Sequence, residues 1–256
     1  MTLLGNRFAP TTFIIGFLEG DLAAVVRADT SWRDGIGRYT HRTVGGDLGA
    51  MLRQLEPLSA PLTRSLWVQT NSNWTAYFDN SINGSDPFGP ISYLSRCLGC
   101  RGLILSCCPD IPDQVYGQTR FDVYGQSPAD QFNCTRVVAA TNDGGRWSWD
   151  LVGEPLAFEE TEAYSRKRIR DRFTPDMAVR YCSAFGVNSD ADGFYGQSGC
   201  LVENLMIARS RCRTETYAQA KTRLGDRGAQ PTAPPNGGPA ESFGTVRAGG
   251  GPPSVS

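Results

Sequence analysis

Several groups of residues have the types and spacing to do chemistry. Cys97-x-x-Cys100, followed closely by Cys107-Cys108, gathers four thiols in one short stretch. A structural zinc needs four ligands in a tetrahedron, and a C-x2-C pair supplies two of them. Adjacent cysteines on a strand point to opposite sides, so Cys107 and Cys108 do not both reach one ion. A redox C-x-x-C opens a helix, where the thiol pKa falls, whereas this one closes a helix. Core packing is therefore favoured over zinc. No cofactor is expected, and Cys97 and Cys100 are the candidates should a metal be held.

Carboxylates make the better case for an enzyme. Asp79 and Asp86, and the group Glu154, Glu159 and Glu160, each follow an expected hairpin. Paired acids could bind a cation or hydrolyse a glycosidic bond. The same residues also suit turns (Asp79 and Asp86 around Asn80, Asn83 and Gly84) and a first helical turn (Glu159 and Glu160), and that reading is favoured. His41 is the single histidine, which excludes any site needing two imidazoles. Asp34 and Asp47 are near it in sequence, but no nucleophile signature accompanies it, so a satisfied surface or loop histidine is expected. The run Arg166-Lys167-Arg168-Ile169-Arg170-Asp171-Arg172 could meet phosphate or an acidic partner. Spread around a helix and balanced by Glu159, Glu160 and Glu162, it reads instead as a solvated face.

Aromatic residues gather at the hairpins: Trp67, Trp74, Trp147 and Trp149. On a strand Trp147 and Trp149 share a face, as do Trp74, Ala76 and Phe78. Core filling is the plainer role; an exposed aromatic face anchoring a partner is the sharper one. The candidate partner-binding residues are Trp74, Tyr77, Asp79, Asp86, Trp147, Trp149 and Glu154.

The elements that must position these residues follow from periodicity. Leu48, Met51, Leu52 and Leu55 form a helical stripe after Asp47, stopped by Pro57. Ile91, Leu94 and Leu98 form a second after Pro90, ending at Gly99. Glu159–Arg172 reads as a charged helix, acids early and bases late. Thr174-Pro175-Asp176 opens a fourth, with Met177, Tyr181 and Phe185 on one face and Gly186 at its end. Strands are expected at Phe13–Leu18, Ser65–Thr70, Trp74–Asp79, Arg101–Cys107, Thr119–Tyr124, Thr135–Ala140 and Arg146–Val152. The second and third form a hairpin around Asn71-Ser72-Asn73, and the last two form one around Asn142-Asp143-Gly144-Gly145. Both hairpins enter the turn through Thr-Asn, carry Trp soon after, and lead through Gly and Pro toward a helix. An internal duplication of a hairpin-helix unit would account for that.

The expected fold is α+β: a mostly antiparallel sheet of about six strands with helices packed on one face. Residues 1–224 read as a single domain and 225–256 as a disordered Gly/Pro-rich tail. The whole chain has 256 residues, with 25 Lys+Arg against 26 Asp+Glu, 40% hydrophobic and 20% charged. That balance, with a pI near 5.9, argues against a dedicated nucleic-acid binder. No apolar run is long enough to span a membrane. No secretory signal is legible, so a cytoplasmic location with reduced cysteines is expected. Only Lys167 and Lys221 are lysines, an arginine excess typical of a GC-rich genome.

The segments T-A-Y-F-D-N-S-I-N-G-S-D-P, N-D-G-G-R-W-S-W-D-L-V-G-E-P-L-A-F-E and R-D-R-F-T-P-D-M resemble a group of uncharacterised actinobacterial proteins, over much of residues 40–200. That resemblance implies no activity. The Trp-rich hairpin followed by Gly-x-Pro and Phe-Glu is also similar in layout to α+β immunity proteins of bacterial toxin systems. The expectation is a non-enzymatic protein-binding protein, of the toxin-immunity kind. The alternatives are a hydrolase using Asp79 or Asp86 with Glu154 or Glu159, and a zinc-stabilised interaction module.

Overall fold

A computed structural model describes residues 3–125, 132–207 and 212–225. Its elements run β1 (Ile14–Glu19), α1 (Leu22–Asp34), β2 (Tyr39–Gly45), α2 (Leu48–Leu52), β3 (Leu58–Ser59), β4 (Arg64–Thr70) and β5 (Trp74–Asp79). There follow α3 (Phe88–Leu98), β6 (Gly102–Cys108), β7 (Gln118–Tyr124), β8 (Cys134–Asp143), β9 (Arg146–Val152), α4 (Pro175–Ala184), β10 (Tyr195–Asn204), β11 (Thr214–Glu215) and α5 (Tyr217–Gly225). Nine strands form one antiparallel sheet in the order β2-β10-β4-β5-β1-β6-β7-β8-β9, and β3 pairs with β11 alone. The α+β class and the antiparallel sheet are as expected, but the sheet is wider than six strands. The extra strands are β2 and β10, whose Gly, Thr, Ser and Gln content hides the alternation that marks a strand.

Helices pack on both faces rather than one. Val25 of α1 and Ile91 and Leu94 of α3 bury Leu18, Trp67, Tyr77, Ile104 and Val202. On the opposite face Met51 and Leu52 of α2 and Met177 and Tyr181 of α4 bury Phe17, Leu66, Val68, Phe78 and Leu105. Two-sided cover makes β5 buried at every position, as central strands covered on both faces are. Two glycines let α3 approach the sheet closely. A Cβ on Gly16 of β1 would stand 2.8 Å from Ile91 Cγ1, and one on Gly102 of β6 2.6 Å from Ile91 Cγ2.

Capping fixes the helix starts. Asp21 accepts from the Ala24 amide at 2.8 Å to open α1, Asp47 from Ala50 at 2.6 Å to open α2, and Thr174 from Met177 at 3.4 Å to open α4. Gly99, at φ +62°, closes α3. The charged helix expected over Glu159–Arg172 does not form; 3-10 turns occupy Thr161–Ser165 and Ile169–Asp171. In a helix Arg166 and Arg170, and Arg168 and Arg172, would stack like charges one turn apart. Arg166 and Arg172 instead donate to the carbonyls of Asp171 and Arg166.

The two hairpins whose likeness suggested a duplication sit differently in the sheet. Hairpin β4–β5 lies mid-sheet and leads into α3 on one face, whereas β8–β9 lies at the edge and leads through 3-10 turns to α4 on the other. Gly225 ends α5, and the rest of the expected tail lies outside the described residues. Among the described residues no helix is long and apolar enough to cross a membrane.

Candidate interaction surface

The central hairpin contributes its candidate residues to the interior, not to a surface. Trp74 is 1% exposed and donates its indole N–H to the Phe185 carbonyl at 3.0 Å. Tyr77 is fully buried against Trp67, ring centroids 4.8 Å apart. Asp79 is fully buried and accepts from the Ser81 and Asp86 amides at 3.0 and 2.7 Å. Its role is the turn former's, in a desolvated setting. Burial pushes its carboxyl up to about 7 against the pull of those two amides. As candidates for contact with a partner, Trp74, Tyr77 and Asp79 are thereby corrected: a strand buried on both faces reaches no partner.

The acids do not assemble into a catalytic pair. Asp79 shares the α1/α3 face with Tyr77. Glu159 sits on the α2/α4 face, held by Arg136 of β8 through bonds of 2.7 and 2.5 Å. β5 and β8 are four strand spacings apart, roughly 19 Å, beyond the span of a glycosidase pair. Asp86 is exposed beside a hollow of about 260 Å³ that also holds Arg120 and Asp122. Glu154 is exposed just past β9, and Glu160 pairs with Arg180 at 2.5 Å.

The cysteine cluster is equally dispersed. Cys97 is exposed on the last turn of α3, and Cys107 is buried on the α2/α4 face. Burial, with Glu19 adding to it, pushes the Cys100 thiol up to about 11; burial pushes Cys108 up to about 12. Thiols raised in this way are poor nucleophiles and poor metal ligands. Among the described residues no three His, Cys, Asp or Glu side chains come together as a metal site.

One polar constellation was hidden from the sequence. His41, expected on the surface or in a loop, is on strand β2, with Nε2 3.4 Å from Oδ2 of the fully buried Asp29. Arg33 donates to Asp29 at 2.8 Å and to Ser65 Oγ at 3.3 Å. Register places His41, Val202, Ser65 and Asp79 in one row across β2, β10, β4 and β5. Ser65 is therefore two strand spacings from His41, roughly 10 Å, too far for a nucleophile and its base. The cluster locks α1 onto the sheet. A cleft of about 920 Å³ is lined by Arg7, Asp47, Arg53, Glu56 and Asp192 among others. Arg7 pairs with Asp192, Asp47 caps α2, and Glu56 accepts from the Tyr217 amide at 2.6 Å.

The remaining candidates converge on the last strand of the sheet. Gly144 and Gly145, at φ +64° and +100°, turn β8 into β9, the two-residue hairpin geometry. In such a hairpin the residues flanking the turn, Asp143 and Arg146, exchange hydrogen bonds, and bonded pairs then alternate. Arg146, Ser148, Asp150 and Val152 thus bond inward to β8, while Trp147, Trp149 and Leu151 aim their amides and carbonyls outward. The Asn142 amide, opposite Trp147, agrees: it turns away from β9 to the Gly117 carbonyl at 2.7 Å. Among the described residues β9 has a strand on one side only. Trp147 and Trp149 are half-buried against the core, and Leu151 and Val152 are 46% and 50% exposed. Comparison with protein-family models, with curated proteins and with solved structures gives no match.

Proposed function

We propose that this chain is a non-enzymatic protein-binding protein whose recognition element is the free edge of β9 with its flanking residues Trp147, Trp149 and Glu154. The observation that carries this reading is the edge itself. Among the described residues it offers a row of backbone donors and acceptors with no partner, beside two half-buried tryptophans and two exposed aliphatic residues, the features by which a sheet takes up an added strand. Aromatic residues seated in a packed surround are also the usual anchors of an interface. The dispersal of the acids and thiols supports binding over catalysis. A cytoplasmic setting belongs to the same reading, since Cys97, Cys100, Cys107, Cys108, Cys182 and Cys200 stand as thiols, the state a reducing compartment maintains. The layout shared with toxin-immunity proteins makes a bacterial toxin the foreign partner to test first.

Affinity capture from the source cells tests the reading, comparing the native chain with Leu151→Pro. Proline removes one outward N–H, and an edge position tolerates it. A protein retained by the native chain and lost with the variant is expected. Retention of the same proteins by both would overturn the assignment to β9.

A further inference from the structure

We infer that the strand accepted by β9 is β9 of a second copy, paired antiparallel about a two-fold axis through Ser148. This rests on the reading of β9 as the recognition edge and names its partner.

The register follows from which groups face outward. Trp147, Trp149 and Leu151 carry the free amides and carbonyls, so hydrogen-bonded pairs between two copies must join odd-numbered residues. Three two-fold registers meet that condition near the middle of the strand. Centred on Asp150, the pairing sets Asp150 against its own copy, and like charges directly opposite are unfavourable. Centred on Trp149, it sets Arg146 against Val152 and leaves both charges unanswered. Centred on Ser148, it sets Arg146 against Asp150 twice, Trp147 against Trp149 twice, and Ser148 against itself. Opposite-charge and aromatic cross-strand pairs are the favourable kinds.

The charges are free to do this. Arg146, Ser148 and Asp150 are exposed on one face of β9. None of the ion pairs among the described residues includes Arg146 or Asp150, and Asp150 accepts only a 3.5 Å contact from Ser148. Four residues apart on an extended strand, they stand roughly 13 Å from each other and cannot pair within one chain. A self-complementary patch is what a two-fold interface requires. The two Trp147–Trp149 contacts would form on the opposite face, over the packed side of each sheet.

Sedimentation equilibrium on the purified full chain tests the inference with a charge swap. The native chain is expected to dimerise with rising concentration. Arg146→Asp carries two acids on the edge face and Asp150→Arg two bases, so each alone is expected to lose the dimer. Mixed in equal amounts they are expected to associate as a heterodimer, because every cross-strand pair is then of opposite charge. Both substitutions are at exposed positions, and matching thermal melts check that the variants fold. A native chain that stays monomeric at all concentrations would overturn the inference, as would single variants that dimerise unimpaired or a mixture that does not associate. A monomeric native chain that still loses a captured protein on Leu151→Pro would overturn self-pairing and leave the edge reading intact.

Discussion

Arg136 and Glu159 form a bidentate ion pair across the α2/α4 face, with both side chains almost wholly out of water (2% and 0% exposed). Arg136 also donates to the Val152 and Gly153 carbonyls, and Glu159 accepts from the Leu156 amide and the Tyr164 hydroxyl. One pair therefore ties the end of β9 and the segment after it to β8, and so holds the edge strand in place. Burial raises the Glu159 carboxyl, but Arg136, the Leu156 amide and Tyr164 together bring it below its ordinary value. Removing one partner strands a buried charge, so Glu159→Ala should cost about 3–5 kcal/mol. The lowered carboxyl stabilises the fold above its ordinary value near 4.5, and that stability fades as pH falls through the lower folded value. Urea titrations at neutral and acid pH check both effects; a loss under 1 kcal/mol would mark the pair as incidental.

Asp79 should titrate in the opposite sense. Its carboxyl is raised from 3.8 to about 7 by burial, so the folded chain holds a proton that the unfolded chain releases. Stability from this group is full below pH 3.8 and declines as pH rises toward 7, by about 4 kcal/mol at most. The difference in unfolding free energy between the native chain and Asp79→Asn, followed across that interval, isolates the effect. A difference that does not change with pH would contradict the desolvated setting of Asp79.

Arg33 neutralises Asp29 beneath α1, with both side chains buried. Arg33→Met should destabilise by about 3–5 kcal/mol, because it removes the guanidinium that pairs with the buried Asp29. The double change Arg33→Met with Asp29→Asn should recover much of that loss. Equal losses for the single and double variants in thermal melts would contradict the coupling.

Gly153 closes β9 at φ +74°, where a Cβ would overlap the Thr135 carbonyl oxygen. Gly153→Ala should therefore lose about 2 kcal/mol or more, from backbone strain and overlap together. Gly144 has φ +64° with open space around it, so Gly144→Ala should cost less. A reversed order of melting temperatures would contradict this geometry.

The eight thiols should separate by burial. Cys97 is the exposed one, and it should react with a thiol reagent well before Cys107 and Cys182. The purified chain should carry less than stoichiometric zinc; a full equivalent bound would restore the metal reading.

Legibility in the sequence followed amphipathicity. The helices α2, α3 and α4 and both hairpins carry apolar stripes or turn residues that speak for themselves. Helix α1 does not, because Asp29 and Arg33 occupy inward positions that the 3.6-residue period reserves for apolar side chains. Its polar lock on Ser65 and His41 was hidden for the same reason. Burial across a strand was legible only as a face: that Trp74 and Phe78 share one side follows from alternation, whereas the cover on both sides of β5 depends on strand order. Strand order also separates the acids, since residues following two similar hairpins look equivalent in sequence and are four strands apart in the sheet. Of the residues expected at a surface, Trp147 and Trp149 lie on β9 and Glu154 just past it, at the end of the sheet.

The claim that β9 is the recognition edge is tested most directly by amide hydrogen exchange, residue by residue, on the chain alone and on the chain bound to whatever protein it retains, a second copy included. Free in dilute solution, the outward amides of Trp147, Trp149 and Leu151 should exchange faster than the inward amides of Ser148 and Asp150. Binding should slow those three selectively. Protection that appears elsewhere while these three exchange as fast as before would contradict the account.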